Sequence, residues 1–187
     1  MIKKILIVIS IFFLFGCNNT NINNMTLNEI INEQISLKSA SSTINRKGYK
    51  YYLPQEFSVK KDNDYIQELT SNNIVYYLNI DIVSYHYKNN ITTTHEPDDY
   101  EYYEFNKDDK NGYLKITENN NNFFVELCYN YAIIEVEVEE SDLRYAISRG
   151  ITILNSIKYN DLVIAKYITD NDVDTSETVY KIPEPEN

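Results

Sequence analysis

His95-Glu96-Pro97-Asp98-Asp99 gathers an imidazole and three carboxylates in one short stretch, the donor types that hold a divalent cation. Its spacing matches no helical ligand pair, and the only other histidine, His86, lies in an apolar run. A metal site is therefore not expected there. Asp170-Asn171-Asp172-Val173-Asp174 opens like a calcium loop, but that loop requires Gly at its sixth place and Glu at its twelfth. Thr175 and Lys181 occupy those places, so a solvated acidic loop is expected instead. Glu135, Glu137 and Glu139 alternate with Ile134, Val136 and Val138, which makes them the outward face of a strand rather than an acid–base pair. Cys128 has no neighbouring His or Cys and reads as a small packed side chain. No G-x-S-x-G and no glycine-rich phosphate loop occurs in a chain with four glycines. No catalytic residue, cofactor or metal is assigned, and the chain is not expected to be an enzyme.

One cysteine stands apart. Lys3 and Lys4 precede an apolar run from Ile5 to Phe15, and Leu14-Phe15-Gly16-Cys17 closes it. A membrane-crossing helix needs roughly 20 apolar residues, whereas a signal peptide's apolar core needs about 7–15. The segment resembles the bacterial lipoprotein signal, in which an aliphatic residue, a variable one and a small one precede the cysteine. Leu14, Gly16 and Cys17 match that pattern, and Phe15 is larger than usual for its slot. The resemblance implies a diacylglycerol on the Cys17 thiol, cleavage after Gly16, and a fatty-acid (palmitate-type) anchor at the outer, extracytoplasmic face of the cell membrane. Two acyl chains hold far better than one, because each buried methylene contributes about 0.8 kcal/mol.

The bulk composition bounds the partners. The 187-residue chain carries 17 basic and 28 acidic residues, a formal charge of −11. Loss of Lys3 and Lys4 with the leader makes the mature chain more acidic by two charges. Such a balance disfavours nucleic acid and anionic lipid. With Cys17 acylated, Cys128 has no disulfide mate, so secretion here implies no disulfide framework. Tyrosine occurs 18 times and tryptophan never. Tyr, Asn and Ile all have A/T-rich codons, so the bias is read as genomic.

The elements that must position any site follow from periodicity. Residues 1–16 are the signal peptide, 17–25 an Asn-rich tether, 26–160 one globular domain, and 161–187 an acidic extension. Thr26 and Glu29 form a capping box, and Leu27, Ile30, Ile31 and Ile35 follow at helical spacing. Strands are expected at 49–53, 57–60, 65–70, 74–87, 100–106, 113–118, 123–129 and 132–139, with turns at Lys61–Asp64, Asn111-Gly112 and Asn119–Asn122. A second helix is expected from an N-cap at Ser141, with Leu143, Ala146, Ile147, Gly150, Ile151 and Leu154 on one stripe. Ile157-Lys158-Tyr159 returns as an edge strand, and Leu162–Ile168 pairs with Thr178–Ile182.

The fold class is α+β: an antiparallel sheet of six to eight strands covered by an N-terminal and a C-terminal helix. Tyr52-Leu53-Pro54 at the entry strand and Asn155-Ser156-Ile157-Lys158-Tyr159 at the end of the last helix resemble the PsbP/DcrB-like α/β/α sandwich, over roughly residues 47–160. That group includes lipid-anchored and assembly proteins, so the resemblance implies a non-enzymatic role and transfers no site residues. The expected function is a binding or assembly domain of the cell envelope, held by Cys17 and working on an envelope protein. The alternative is an envelope enzyme or small-ligand accessory with a pocket of Tyr and acidic residues.

Overall fold

A computed structural model describes residues 22–96 and 99–171. The described chain is α+β. Four α-helices are α1 (Leu27–Ser36), α2 (Ile82–Tyr87), α3 (Glu140–Asn155) and α4 (Asp161–Asn171). Ten strands are β1 (Ile44–Arg46), β2 (Tyr49–Tyr51), β3 (Ser58–Asn63), β4 (Ile66–Ser71), β5 (Ile74–Ile80), β6 (Glu101–Lys107), β7 (Lys110–Asn119), β8 (Asn122–Tyr129), β9 (Ala132–Glu139) and β10 (Lys158–Tyr159). They form a seven-stranded sheet in the order β3-β4-β5-β9-β8-β7-β6 and a three-stranded sheet in the order β1-β2-β10. All pairs are antiparallel. The large sheet is two meanders, β3-β4-β5 and β6-β7-β8-β9, joined where β5 meets β9.

Helices α1 and α3 lie together on one face of this sheet, α3 over β8 and β9. Alternation along each strand sends Leu69, Tyr76, Leu78, Ile80, Leu114, Ile116, Val125, Leu127, Ile134 and Val136 into the core beneath them. Ile30, Ile31 and Ile35 of α1 and all six expected stripe residues of α3 are buried. The capping box forms as read: Glu29 N donates to the Thr26 hydroxyl, and Thr26 N donates to the Glu29 carboxylate. Gly150 allows the close approach of α3, since a Cβ there would lie 3.1 Å from Leu127 Cδ2.

Several local expectations are corrected. The strand expected at 74–87 ends at Ile80, because the Asp81 carboxylate accepts a hydrogen bond from Ser84 N and starts α2. The hairpin expected at Asn111-Gly112 turns at Asp108-Asp109 instead, and both expected turn residues lie inside β7. The turn expected at 61–64 is Asp64-Tyr65, and β3 runs on through Asn63. Ser141 lies within the first turn of α3, whose N-cap is Glu139. Leu162–Ile168 is not a strand but most of α4. The Asn160 side chain accepts from Val163 N at 3.2 Å, and Ile164 and Ile168, one turn apart, enter the core. Thr178–Ile182 lies outside the described residues.

Described residues on both sides of 26–160 pack against the same core. Ile22–Asn24 forms a 3-10 turn, Ile22 and Met25 pack against the core, and α4 adds the other end. Hairpin β1–β2 had not been expected; Gly48, at φ +88°, turns it. Three two-residue turns, Asn72-Asn73, Asn120-Asn121 and Asn130-Tyr131, have positive φ at both positions. Asn tolerates that geometry better than other side-chain-bearing residues, so the Asn content has a structural use in this sheet.

Candidate functional site

The face of the large sheet opposite α1 and α3 carries the other half of the alternation. Register aligns one row straight across it: Lys61, Glu68, Tyr77, Glu135, Glu126, Lys115 and Tyr102, each the Cα partner of the next. Such partners stand about 4.5–5.5 Å apart at Cβ, so adjacent members of the row interact directly. The placing of Glu126 against Glu135 follows from the two-residue turn Asn130-Tyr131, from which both stand equally far.

The row is not neutralised evenly. Lys61 Nζ pairs with Glu68 at 2.8 Å. Lys115 Nζ is engaged away from Glu126, donating to Thr94 O at 3.0 Å and facing Asp99 at 3.7 Å. Glu126 accepts a hydrogen bond from the Tyr113 hydroxyl at 2.5 Å. Glu135 has no cationic partner among the described residues. Burial first, and then the Glu126 charge, push its carboxyl up to about 7. Two like charges placed opposite each other oppose folding; the Tyr113 hydroxyl offsets part of that at Glu126, and no ion pair does so at Glu135 among the described residues.

Around this pair the face is partly exposed and carries large apolar side chains among polar ones. Tyr77 is 48% exposed, Ile66 44% and Phe124 37%. All three point outward from β4, β5 and β8. Toward β6 and β7 the face is covered: the chain after α2 crosses it, Lys115 reaches Thr94, and Tyr113 touches Thr93. A cleft of about 290 Å³ remains between this crossing and the β6–β7 hairpin, lined by Thr92, Thr93, Tyr102, Glu104 and Tyr113 among others.

Glu135 carries a pH prediction. Its folded pKa lies above its unfolded value of about 4.5, so the native state holds more protons between the two, and stability falls as pH rises from about 4.5 to about 7. Above that window the charged pair opposes folding in full. Glu135→Gln should stabilise the domain at pH 8 by about 1–2 kcal/mol, after allowing for solvent screening of a half-buried group, and by little at pH 5. Thermal melts of both proteins at the two pH values check this; equal shifts at both would contradict it.

The other side chains singled out in the sequence fall elsewhere. His95 Nδ1 lies 3.0 Å from Asp99 Oδ2, and its ring stacks on Tyr102 at 4.7 Å. His86 is on α2, edge-on to Tyr87. Among the described residues no group of three or more His, Cys, Asp or Glu side chains is placed to hold a metal ion. Pro97 and Asp98 lie outside those residues. So do Asp172, Asp174, Thr175 and Lys181, and Asp170 sits in the last turn of α4. Cys128 is buried, and burial, reinforced by Glu126 and Asp81, pushes its thiol well above the ordinary range, which leaves it protonated. Glu135, Glu137 and Glu139 form the outward alternation of β9 as read; Glu137 accepts from Asn122 Nδ2 at 2.9 Å, and Glu139 stands at the N-cap position of α3 without a side-chain capping bond. Cys17 lies outside the described residues. The motifs Tyr52-Leu53-Pro54 and Asn155–Tyr159 meet: Tyr52 N donates to Ser156 Oγ at 2.8 Å.

Sequence reasoning missed the Tyr77–Glu135–Glu126 row. Its β8–β9 half was legible from the hairpin, since alternation on two strands joined by a two-residue turn sets which residues face each other. Its β5–β9 half was not, because those strands are far apart in sequence. No protein-family model matches the chain, and no curated protein matches it.

Proposed function

We propose that the chain is a lipid-anchored, extracytoplasmic bacterial domain that acts by binding rather than by catalysis, through the open face of its seven-stranded sheet. The Lys3-Lys4, Ile5–Phe15 and Leu14–Cys17 pattern supports the anchor. The observation that carries the binding role is the open face itself. Exposed Tyr77 stands opposite Glu135 and exposed Phe124 one row from Glu126, with exposed Ile66 further out on β4, and exposed apolar surface beside polar groups marks interaction sites. The resemblance to PsbP/DcrB-like domains belongs to this reading.

Metabolic labelling with an alkynyl fatty acid tests the anchor. The native chain should take label and sediment with membranes, and Cys17→Ser should lose the label and the membrane fraction together. Label retained by Cys17→Ser would contradict the proposal.

The cleft beside Tyr102, Glu104 and Tyr113 favours a second reading, a small-ligand accessory protein or enzyme with a pocket of Tyr and acidic residues. Under that reading Tyr102→Ala abolishes function and Tyr77→Ser does not. The binding-face reading predicts the reverse.

A further inference from the structure

We propose that the open sheet face formed by β4, β5, β9 and β8 receives a cationic, arginine- or lysine-bearing segment of another protein. This rests on the reading of that face as a binding surface and adds the chemistry of what binds.

The face asks for an aromatic contact and a positive charge together. Tyr77 and Phe124 offer exposed rings. Glu135 and Glu126 stand opposite each other beside Tyr77, and both lysines of the row are already committed, Lys61 to Glu68 and Lys115 to Thr94 and Asp99. A guanidinium can accept both demands at once, forking onto carboxylates while its plane lies on a tyrosine ring. Its arrival would remove the repulsion that the empty face carries.

Charge also rules out the nearer occupants. A second copy docked face to face would bring the same carboxylates against this face, and its net charge of −11 opposes approach by any other face. Residues 172–187 carry five acids and one lysine, so that segment would be repelled as well. The cation must come from a different chain.

The groups facing Glu135 are Glu126 on β8 and Tyr77 on β5, with Glu137 two residues along β9 on the same face and Glu68 and Lys115 one strand further out on either side. Ionisation of Glu135 adds a negative charge to this face. Binding of a cation therefore strengthens as pH rises from 6 to 8.

The test uses the lipidated full-length protein in nanodiscs of zwitterionic lipid, with three photoreactive decapeptides as probes: (Arg-Ala)5, (Gln-Ala)5 and (Tyr-Ser)5. The arginine peptide should cross-link at β5, β8 and β9, and the glutamine peptide should not. Glu126→Gln/Glu135→Gln should weaken the arginine peptide by about tenfold or more, an energy of about one to two bound charges. Asp64→Asn/Asp109→Asn removes the same net charge from turns away from this face and should weaken it less than twofold. Melting curves establish that each variant is folded. Equal weakening by both pairs would reduce the effect to net charge and overturn the inference. Stronger cross-linking of the tyrosine peptide to the face would overturn the cationic partner and leave the binding surface standing. Absence of cross-links to the face by all three probes would overturn both.

Discussion

Gly112→Ala should be the most damaging single-methyl change in this domain, costing about 3–5 kcal/mol and lowering the melting temperature by about 10 °C. Gly112 lies within β7, between Phe105 of β6 and Tyr129 of β8. A Cβ there would stand 2.2 Å from the Cys128 carbonyl oxygen and 2.9 Å from the Tyr129 ring. The carbonyl belongs to the backbone of a neighbouring strand, so it cannot swing aside as a side-chain tip would. Relief requires β7 and β8 to separate, which detaches the β6–β7 hairpin end from the rest of the large sheet. Typical domains have only about 5–15 kcal/mol of stability, so a loss of this size shows plainly in urea or heat. Asn111→Ala, one position earlier and exposed, is the control and should change little. A Gly112→Ala protein that melts with the native one would mean that β7 and β8 do not pair as described.

The second large effect belongs to Gln67. It is fully buried on β4 and lies at the centre of a polar chain linking the two sheets. The Tyr51 hydroxyl of β2 donates to Gln67 Oε1 at 2.5 Å, and Gln67 Nε2 donates to Asp62 Oδ1 at 2.7 Å. The Asp62 carboxylate is also paired with the Arg46 guanidinium of β1. Gln67→Ala strands a buried hydroxyl, removes a hydrogen bond from a carboxylate and opens a cavity, which together cost about 2–4 kcal/mol. Tyr51→Phe should cost less alone and add little on top of Gln67→Ala, since the two share one interaction. Full additivity would contradict the network.

The same network sets an acid limit. Burial raises the Asp62 carboxyl, but the Gln67 hydrogen bond and Arg46 outweigh it and hold it below its ordinary 3.8. A depressed carboxyl contributes stability that is present above the unfolded value and is lost as pH falls through the folded one. The margin of the native protein over Gln67→Ala should therefore narrow below about pH 4 and hold steady above it.

These residues also show what the sequence could and could not announce. The helical stripes were legible because burial repeats at helical spacing over α1 and α3, and Thr26 with Glu29 marked a start. The two strands of the β8–β9 hairpin were legible as apolar runs on either side of Asn130-Tyr131, with strict alternation in β9 alone. Gly112 was misread as a turn residue: Asn-Gly is a strong local signal for a hairpin, but here glycine serves close packing between strands, which only the third strand reveals. Asp81 was overlooked because an apolar alternation continues past it through Ile82, and one side-chain cap sufficed to change strand into helix. Gln67 carried no signal at all, since a polar residue in an alternating strand looks solvent-facing until Tyr51 arrives from another sheet. The Glu126–Glu135 pair was half legible for the same reason. The hairpin implied that the two face each other, while the open surface around them depends on which face α1 and α3 cover.

The proposed lipid on Cys17 decides where this domain lies and which partners it can meet. The most direct measurement is the intact mass of the native chain purified from the membrane fraction of its own cells. The account predicts a polypeptide that begins at Cys17 and carries the added mass of a diacylglycerol on that residue. A chain that retains Met1, or one that is cut and bears no lipid, would contradict it.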